Sequence, residues 1–224
     1  MSEAAVTLTR RQFGQAAGTL VLTFTLAPRS ARAQAPKLPG SLNNNRMLDA
    51  WLRINADGSA IIFTGKVELG QGISTALAQI AAEELDLPLA RVRMISGDTA
   101  QTPDQGHTSG SQSIEYGGTA IRLACAEARA LLVDHAAERL GLSAEALKVS
   151  EGVIAAPDGR KLGYGELTAG LDLRREITAK VAPKPLKELT FVGRSMPRRD
   201  IPAKVTGGAA YVQDVGSPEW CMAA

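Results

Sequence analysis

Two glycine-containing loops between residues 65 and 118 constrain the fold of this chain more than any other feature. The first, G-Q-G at residues 70–72, follows an apolar strand pattern and opens a run of helical periodicity. The second, T-S-G-S-Q-S at residues 108–113, opens another helical run. Because the first N–H groups of a helix have no partners within it, each helix start can bind an anion or a polar cofactor. We hypothesise that both starts converge on one extended ligand.

The residue types in these loops suit a polar ligand. Glycine lets the backbone approach a ligand closely and permits positive φ, and the amide of Gln71 both donates and accepts hydrogen bonds. From spacing alone, the alternative is that the glycines form tight turns and the hydroxyls only cap helices. The candidate cofactor-binding residues are Gly70, Gln71, Gly72, Gly110, Ser111, Gln112 and Ser113.

Hydrophobic periodicity and turn signals predict an α+β fold, with a mixed sheet and two main helices packed on one of its faces. Asp57-Gly58 is a strong hairpin turn signal. On the second helix, Glu127 and its charged neighbours are predicted to face solvent. The predicted elements are a hairpin of strands 51–54 and 60–67, a helix 73–85, a strand 92–96, a helix 116–140, a hairpin of strands 147–155 and 161–162, and a helical turn 164–169.

The first 33 residues have the pattern of an export signal. T-R-R-Q-F at residues 9–13 is a twin-arginine signature, and the apolar run at residues 16–27 is too short to cross a bilayer as a helix. Ala31-Arg32-Ala33 provides an A-x-A cleavage site. The alternative is an amphipathic N-terminal helix. We predict a periplasmic protein exported by the twin-arginine route, with no transmembrane segment in the mature chain.

The charge distribution argues against a nucleic-acid partner. The whole chain carries a net charge of +2, whereas residues 1–33 contain four arginines and one glutamate. The remaining residues therefore have a slightly negative net charge, which is not typical of a nucleic-acid-binding domain.

The cysteines and histidines of the chain give no pattern of a metal centre. Cys125 and Cys221 are the only cysteines, and they form no C-x-x-C pair or cluster. Cys125 is predicted to pack as a small hydrophobic residue within a helix, and a disulfide with Cys221 stays open because sequence does not give its geometry. His107 has no second histidine near it, so we assign no metal ligand.

Four motifs, in the order in which they occur along the chain, resemble the molybdopterin-binding subunit of the xanthine dehydrogenase/aldehyde oxidase family. They are E-L-G-Q-G-I-S-T-A-L-A-Q-I-A-A-E-E-L from residue 68, G-D-T from residue 97, T-S-G-S-Q-S from residue 108 and G-G-T-A from residue 117. Within the family, the chain looks like an N-terminal portion of the isoquinoline 1-oxidoreductase large-subunit type. The resemblance implies that Gln71 and residues 110–113 contact pterin and phosphate groups, while Gly70 and Gly72 shape their turn.

The resemblance also implies an activity, which is the hydroxylation of an N-heterocycle or aldehyde with oxygen from water. The implied cofactor is molybdopterin, in bacterial enzymes generally the cytosine dinucleotide form. The implied partners are a small-molecule substrate, a small subunit that holds [2Fe–2S] clusters and, as a further candidate, a c-type cytochrome electron acceptor.

No residue of this chain matches the family's catalytic glutamate, which lies in a later Gly-Glu motif, so we assign no catalytic residue. Glu68 and Glu115 belong to other motifs and receive no role as a base. The competing hypothesis, from a different class, is a truncated and inactive periplasmic binding or interaction fragment.

The expected divisions of the chain follow from composition and from the resemblance. The charged segment 171–197 contains three prolines and favours an irregular connector. Asp200 to Val215 resembles the opening strand of the family's hammerhead domain. The divisions are a signal peptide at 1–33, a linker at 34–50, a molybdopterin-binding portion at 51–170, a connector at 171–197 and the truncated start of a hammerhead domain at 198–224.

Overall fold

A computed structural model describes residues 37–208 of the 224-residue chain. The predicted signal peptide at 1–33 therefore lies outside the described residues, as do the first part of the predicted linker and residues 209–224 of the predicted hammerhead start. Within residues 37–208, no helix has both the length and the apolar character needed to cross a membrane.

The central sheet is mixed and has the strand order β1–β2–β3. Strand β1 (Leu52–Ile54) pairs antiparallel with β2 (Ala60–Thr64), which in turn pairs parallel with β3 (Val92–Ser96). The turn between β1 and β2 places Gly58 at φ 76°, a conformation that would strain other residues. The first predicted hairpin and the strand at 92–96 are thus confirmed, but the second strand of the hairpin ends at Thr64 and not at residue 67.

Two long helices share one hydrophobic core with this sheet. Helix α1 (Ile73–Leu85) connects β2 to β3 and packs against α2 (Thr119–Leu140). Three buried alanines spaced four residues apart along one side of α2 allow close approach, because the distance between packed helices depends on the side chains at their contact. The α+β fold class, with its mixed sheet and two main helices, is confirmed. The alanines are Ala120, Ala124 and Ala128.

A second, antiparallel sheet follows α2 and has the order β4–β5–β6. Its strands are β4 (Lys148–Ser150), β5 (Val153–Ala155) and β6 (Lys161–Gly163). The single strand predicted over 147–155 is wrong, because the chain reverses at Glu151 and Gly152, which have φ of 49° and 76°. A glutamate in the left-handed region gives no turn signal in sequence.

The short helix α3 (Tyr164–Leu167) confirms the predicted helical turn and anchors the second sheet to the core. Tyr164 is fully buried, and its hydroxyl donates a hydrogen bond to the carbonyl oxygen of Leu85 at 2.9 Å. Burial of a tyrosine is favourable when its hydroxyl has a partner, as here.

Residues 38–50 pack into the core, whereas the sequence suggested a linker over 34–50. Leu38, Leu42 and Leu48 are buried, and two 3₁₀ turns, Gly40–Asn43 and Leu48–Ala50, shape the segment. The Pro, Asn and Gly residues that suggested a linker instead form tight turns.

Residues 171–197, here named the strap, run over both long helices and are held by three buried glutamates. Each glutamate accepts hydrogen bonds from strap backbone N–H groups: Glu127 from residues 178 and 179, Glu84 from residue 184, and Glu83 from residues 190–192. The predicted solvent-facing position of Glu127 is therefore wrong, since this residue is only 5% exposed. The three carboxylates accept the backbone hydrogen bonds that carbonyl groups of a neighbouring strand would accept in a sheet.

The short helix α4 (Ile201–Val205) occupies the start of the segment that the resemblance assigned to a strand over 200–215. Pro202 lies in its first turn, and Lys204 pairs with Asp200 at 2.6 Å, one helical turn away. The strand prediction is wrong for these residues, and its remainder from residue 209 lies outside the described part of the chain.

We predict that Glu83→Gln lowers the free energy of unfolding by about 2 kcal/mol, because an amide accepts hydrogen bonds more weakly than a carboxylate and brings N–H groups of its own. Urea unfolding of the full chain measures the change. Glu188→Gln, at an exposed strap position, is the matched control. Equal stability of the wild-type and Glu83→Gln chains at pH 7 contradicts the prediction.

The same interaction makes stability depend on pH. Burial acts to raise the pKa of Glu83, but hydrogen bonds from Val192, Phe191 and Thr190 outweigh it and hold the pKa below its ordinary value of 4.5. The stabilisation is therefore fully present above the unfolded-state pKa and is lost as the pH falls through the lower folded-state pKa. Glu83→Gln is expected to remove this part of the acid dependence.

Candidate functional site

The two predicted loops line one cleft of about 550 Å³. The first loop follows β2 and the second follows β3, and the carboxyl ends of neighbouring parallel strands lie at the same edge of a sheet. Five of the seven predicted residues line the cleft, while Gly70 and Gln112 are sequence neighbours of lining residues. The lining residues are Leu69, Gln71, Gly72, Ile73, Ala76, Thr108, Ser109, Gly110, Ser111, Ser113 and Ile114.

The first loop bends back on itself through two glycines and the side chain of Gln71. Gly70 and Gly72 have φ of 101° and 84°, and Gly72 is the residue from which α1 starts. The Gln71 amide donates to the carbonyl oxygen of Val67 at 2.9 Å and accepts from the N–H of Leu69. An amide offers two N–H donors and two acceptor lone pairs, so one of each remains for a ligand.

The carboxylate of Glu68 occupies the start of α1, where sequence reasoning expected free N–H groups. One of its oxygens accepts from the N–H groups of Gly70 at 2.9 Å and Gly72 at 2.8 Å, and the other accepts from Ser74 at 3.1 Å. A carboxylate is also favoured there by the helix dipole. The start of α1 is therefore already neutralised, and an anionic ligand group is favoured at the second loop instead.

The environment of Glu68 keeps it ionised. Burial acts to raise its pKa, but the hydrogen bonds from Gly72, Ser74 and Gly70 outweigh burial and leave the pKa below its ordinary value. Its charge is thus part of the loop structure and is poorly suited to taking up a proton near neutral pH.

Arg198 joins the segment after the strap to the first loop. Its guanidinium donates to the carbonyl oxygen of Gly70 at 2.7 Å and lies 3.6 Å from Glu68. It also forms a two-point pair with Asp200, at 3.0 and 2.6 Å. The hydrogen bonds from Arg198 and from Lys204 hold the pKa of the Asp200 carboxyl far below its ordinary value. Sequence reasoning missed Arg198, which lies 128 residues from Gly70 along the chain.

The second loop presents hydroxyl groups that have no hydrogen-bond partner within residues 37–208. Gly110 and Ser111 both have positive φ, 61° and 60°, which for the serine costs on the order of 1 kcal/mol. Among the described residues, the hydroxyls of Ser111 and Ser113 make no hydrogen bond to protein, whereas the Thr108 hydroxyl accepts the N–H of Val67 at 3.0 Å. The loop is thus fixed at Thr108 and open at Ser111 and Ser113.

Helix α2 is preceded at the cleft by a π-helical turn, Ser113–Gly118, where sequence predicted an ordinary helix start at residue 116. Two glycines make the close packing possible. A Cβ atom on Gly117 would lie 3.1 Å from Nε2 of Gln105, and one on Gly118 would lie 3.0 Å from Cδ1 of Ile80. Such wide turns occur often at functional sites.

The lining of the cleft is suited to binding and not to proton transfer. None of the described residues that line it carries a charge, and its polar groups are hydroxyls, one amide and glycine backbone. Leu69 and Ile114 add apolar surface and are 69% and 48% exposed. A cleft of this size and mixed lining is typical of a small-molecule or cofactor site.

We predict that Glu68→Gln loosens the first loop and lowers the free energy of unfolding by about 1–2 kcal/mol, because the neutral side chain accepts three N–H groups less strongly. Hydrogen exchange of residues 69–75 is expected to speed up in the same variant. Glu115→Gln, at an exposed position of the π-helical turn, is the control. Unchanged exchange at residues 69–75 would show that Glu68 does not hold the loop.

Comparison with known proteins places both loops inside a known domain. The model of a family described as "Molybdopterin cofactor-binding domain" matches residues 10–193. A nicotinate dehydrogenase polypeptide of Pseudomonas putida is 37% identical over 201 residues, which cover 90% of this chain and 17% of that protein. The beta chain of isoquinoline 1-oxidoreductase from Brevundimonas diminuta is 31% identical over 258 residues, covering 95% of this chain and 32% of that protein.

Among solved structures, a CO dehydrogenase from Oligotropha carboxidovorans matches 52% of this chain and 15% of its own length, with 28% identity and a TM-score of 0.46. The chain spans less than a third of the length of both curated relatives. The family match covers most of the chain and includes all seven predicted site residues. The chain therefore belongs to the molybdopterin cofactor-binding domain family, among the molybdopterin-binding subunits of the xanthine dehydrogenase and aldehyde oxidase enzymes.

Proposed function

We propose that this chain is the cofactor-binding part of a periplasmic molybdenum hydroxylase that acts on an N-heterocycle or an aldehyde. The observation that carries the proposal is the single cleft that both loops line, through Gln71 and Gly72 on one side and Gly110, Ser111 and Ser113 on the other, in a chain of this family. Two relatives are named for nicotinate and isoquinoline, which supports an N-heterocyclic substrate. When bound, the molybdenum cofactor supplies the redox and oxygen-transfer chemistry, and the protein supplies binding and orientation.

The donor set of the cleft fits a cofactor that has both a heterocycle and phosphate groups. Gln71 keeps one N–H donor and one acceptor lone pair for a heterocycle edge. The unused hydroxyls of Ser111 and Ser113 suit a phosphate, and a Cβ on Gly110 would meet no atom closer than 3.9 Å, so the backbone there is open. Leu69 and Ile114 provide apolar surface beside these groups.

The two loops have different roles in this proposal. Gln71 binds the heterocycle, and residues 110–113 bind phosphate, because Glu68 places a negative charge at the start of α1 and repels an anion there. Gly70 and Gly72 shape the first loop through their positive φ angles. Glu68 is not the base of the reaction, since its carboxylate is occupied by three N–H groups and does not line the cleft.

We further propose the finer features that the resemblance implied. The cofactor is the molybdopterin cytosine dinucleotide, and [2Fe–2S] clusters lie on a separate small subunit, with a c-type cytochrome as the further candidate acceptor. Both curated relatives are named as one of several polypeptides of an enzyme, which supports assembly with partner chains. The twin-arginine signature at residues 9–13 supports export.

We predict that Gln71→Ala in a complete enzyme lowers molybdenum occupancy or turnover about tenfold, since it removes the amide that binds the cofactor and also loosens its loop. Molybdenum per protein, measured by mass spectrometry, and turnover of N-heterocycles give the result. Gln101→Ala is the matched control, because within the described part of the chain its amide bonds only to Asp98, and it lies outside the cleft lining. Unchanged occupancy and rate would remove Gln71 from the site.

The chain on its own is expected to hold molybdopterin poorly. The cleft is open, with Leu69 and Ile114 largely exposed at its wall, so further protein is needed to enclose the cofactor. Metal and pterin analysis of the purified mature chain tests this expectation. Stoichiometric molybdenum in the purified chain would contradict it. The expectation is supported if the chain contains no metal and also fails to bind the cofactor under conditions in which a complete enzyme binds it.

A further inference from the structure

Lys66 is a fully buried cation directly before the first cleft loop, with 0% of the residue exposed. Its ammonium nitrogen donates to the main-chain carbonyl oxygens of Gln105 at 2.7 Å and His107 at 2.6 Å. Burial of a charged ammonium is strongly unfavourable unless hydrogen-bond acceptors replace the water that it loses. Burial also lowers the pKa of Lys66, an effect that Asp104 opposes. The contacts that Lys66 makes must therefore offset the unfavourable burial of its charge.

The residues on either side of Lys66 hold the same partner segment. The Thr64 hydroxyl and the Gly65 N–H both donate to Oε1 of Gln105, at 2.7 and 2.8 Å. The Val67 N–H donates to the Thr108 hydroxyl at 3.0 Å. Four consecutive residues, 64–67, therefore hold residues 105–108, a set of contacts that we name the loop joint.

The loop joint connects the two sides of the cleft. Residues 64–67 lead into the first cleft loop at 68–72, and residues 105–108 lead into the second at 108–113. The parallel strands end at Thr64 and Ser96, so no sheet ladder pairs these two segments. Within the loop joint, Lys66 alone reaches the carbonyls of two alternate residues, Gln105 and His107, and it supplies the only charge.

We propose that Lys66 is a positioning residue, and that its ammonium group fixes the second cleft loop against the first. Its donors, and not its volume, perform this role, because without them the carbonyl oxygens of Gln105 and His107 lose a charged hydrogen-bond donor. The relevance to molybdopterin rests on the function proposed above, whereas the positioning of the loop does not depend on it.

Lys66→Met tests the proposal, since it keeps the length and the apolar stem of the side chain and removes all three donors. Hydrogen exchange measured by mass spectrometry on the full chain is expected to speed up about tenfold or more in residues 105–113, with little change in α2 or β5. Lys66→Arg, which retains a cationic donor, is expected to restore part of the protection. Tyr164→Phe is the control, because it removes a buried hydrogen bond remote from the cleft.

The outcomes separate this inference from the proposed function. The positioning role is overturned if Lys66→Met leaves the hydrogen-exchange rates of residues 105–113 unchanged. It is also overturned if the rates rise equally along the whole variant chain. A rise confined to residues 105–113 with partial restoration by Lys66→Arg supports it. The molybdenum content of the same variants in a complete enzyme is a separate measurement. If the variant keeps its molybdenum although hydrogen exchange in the second loop is faster, the positioning role is supported and the proposed function is contradicted.

A second measurement applies if Lys66→Met does not fold. In wild-type chain carrying ¹⁵N-lysine and ¹³C-carbonyl labels, one ammonium group is expected to exchange slowly and to show coupling across hydrogen bonds to the carbonyls of Gln105 and His107. Absence of such a protected ammonium signal overturns the proposal.

Discussion

The parallel pairing of β2 with β3 is the contact on which the cleft depends. Its register aligns Thr64 with Ser96, so both strands end level at one edge of the sheet, and each continues into one of the two cleft loops. Helix α1 is the crossover that makes this pairing possible, because parallel strands cannot be joined by a tight turn. The helix that the first loop opens is thus also the element that brings the second loop beside it.

Beyond the strand ends, buried and half-buried polar side chains bind the backbone groups that have no strand partner. Glu68 holds the first loop, Lys66 and Gln105 hold the second, and Glu83 and Glu127 hold the strap. Each of the four charged groups satisfies two or more backbone groups that have no regular partner, and the Gln105 amide accepts from the N–H of Gly65. Buried backbone groups must find partners, and an ionised side chain provides strong ones for irregular chain.

The two sides of the cleft are consequently not equivalent. The first loop is held by its own Glu68, whose carboxylate lies at the start of α1, and by Arg198, which donates to the carbonyl oxygen of Gly70. The second is fixed only at its base and leaves the hydroxyls of Ser111 and Ser113 open. This difference between the two sides gives an asymmetric ligand a preferred orientation, with its anionic end at the second loop.

The first hairpin, both long helices, the strand at 92–96 and the family can be predicted from the amino-acid sequence, because local periodicity, turn residues and ordered motifs encode them. Three other features emerge only when the chain is folded: residues 38–50 pack into the core, Glu127 is buried under the strap and Glu68 fills a helix start. In the folded chain Gln71 also folds back and Arg198 reaches Gly70. The physical reason is that a polar side chain takes whichever partner the fold brings near it, and such partners are often many residues away, where no local pattern records them.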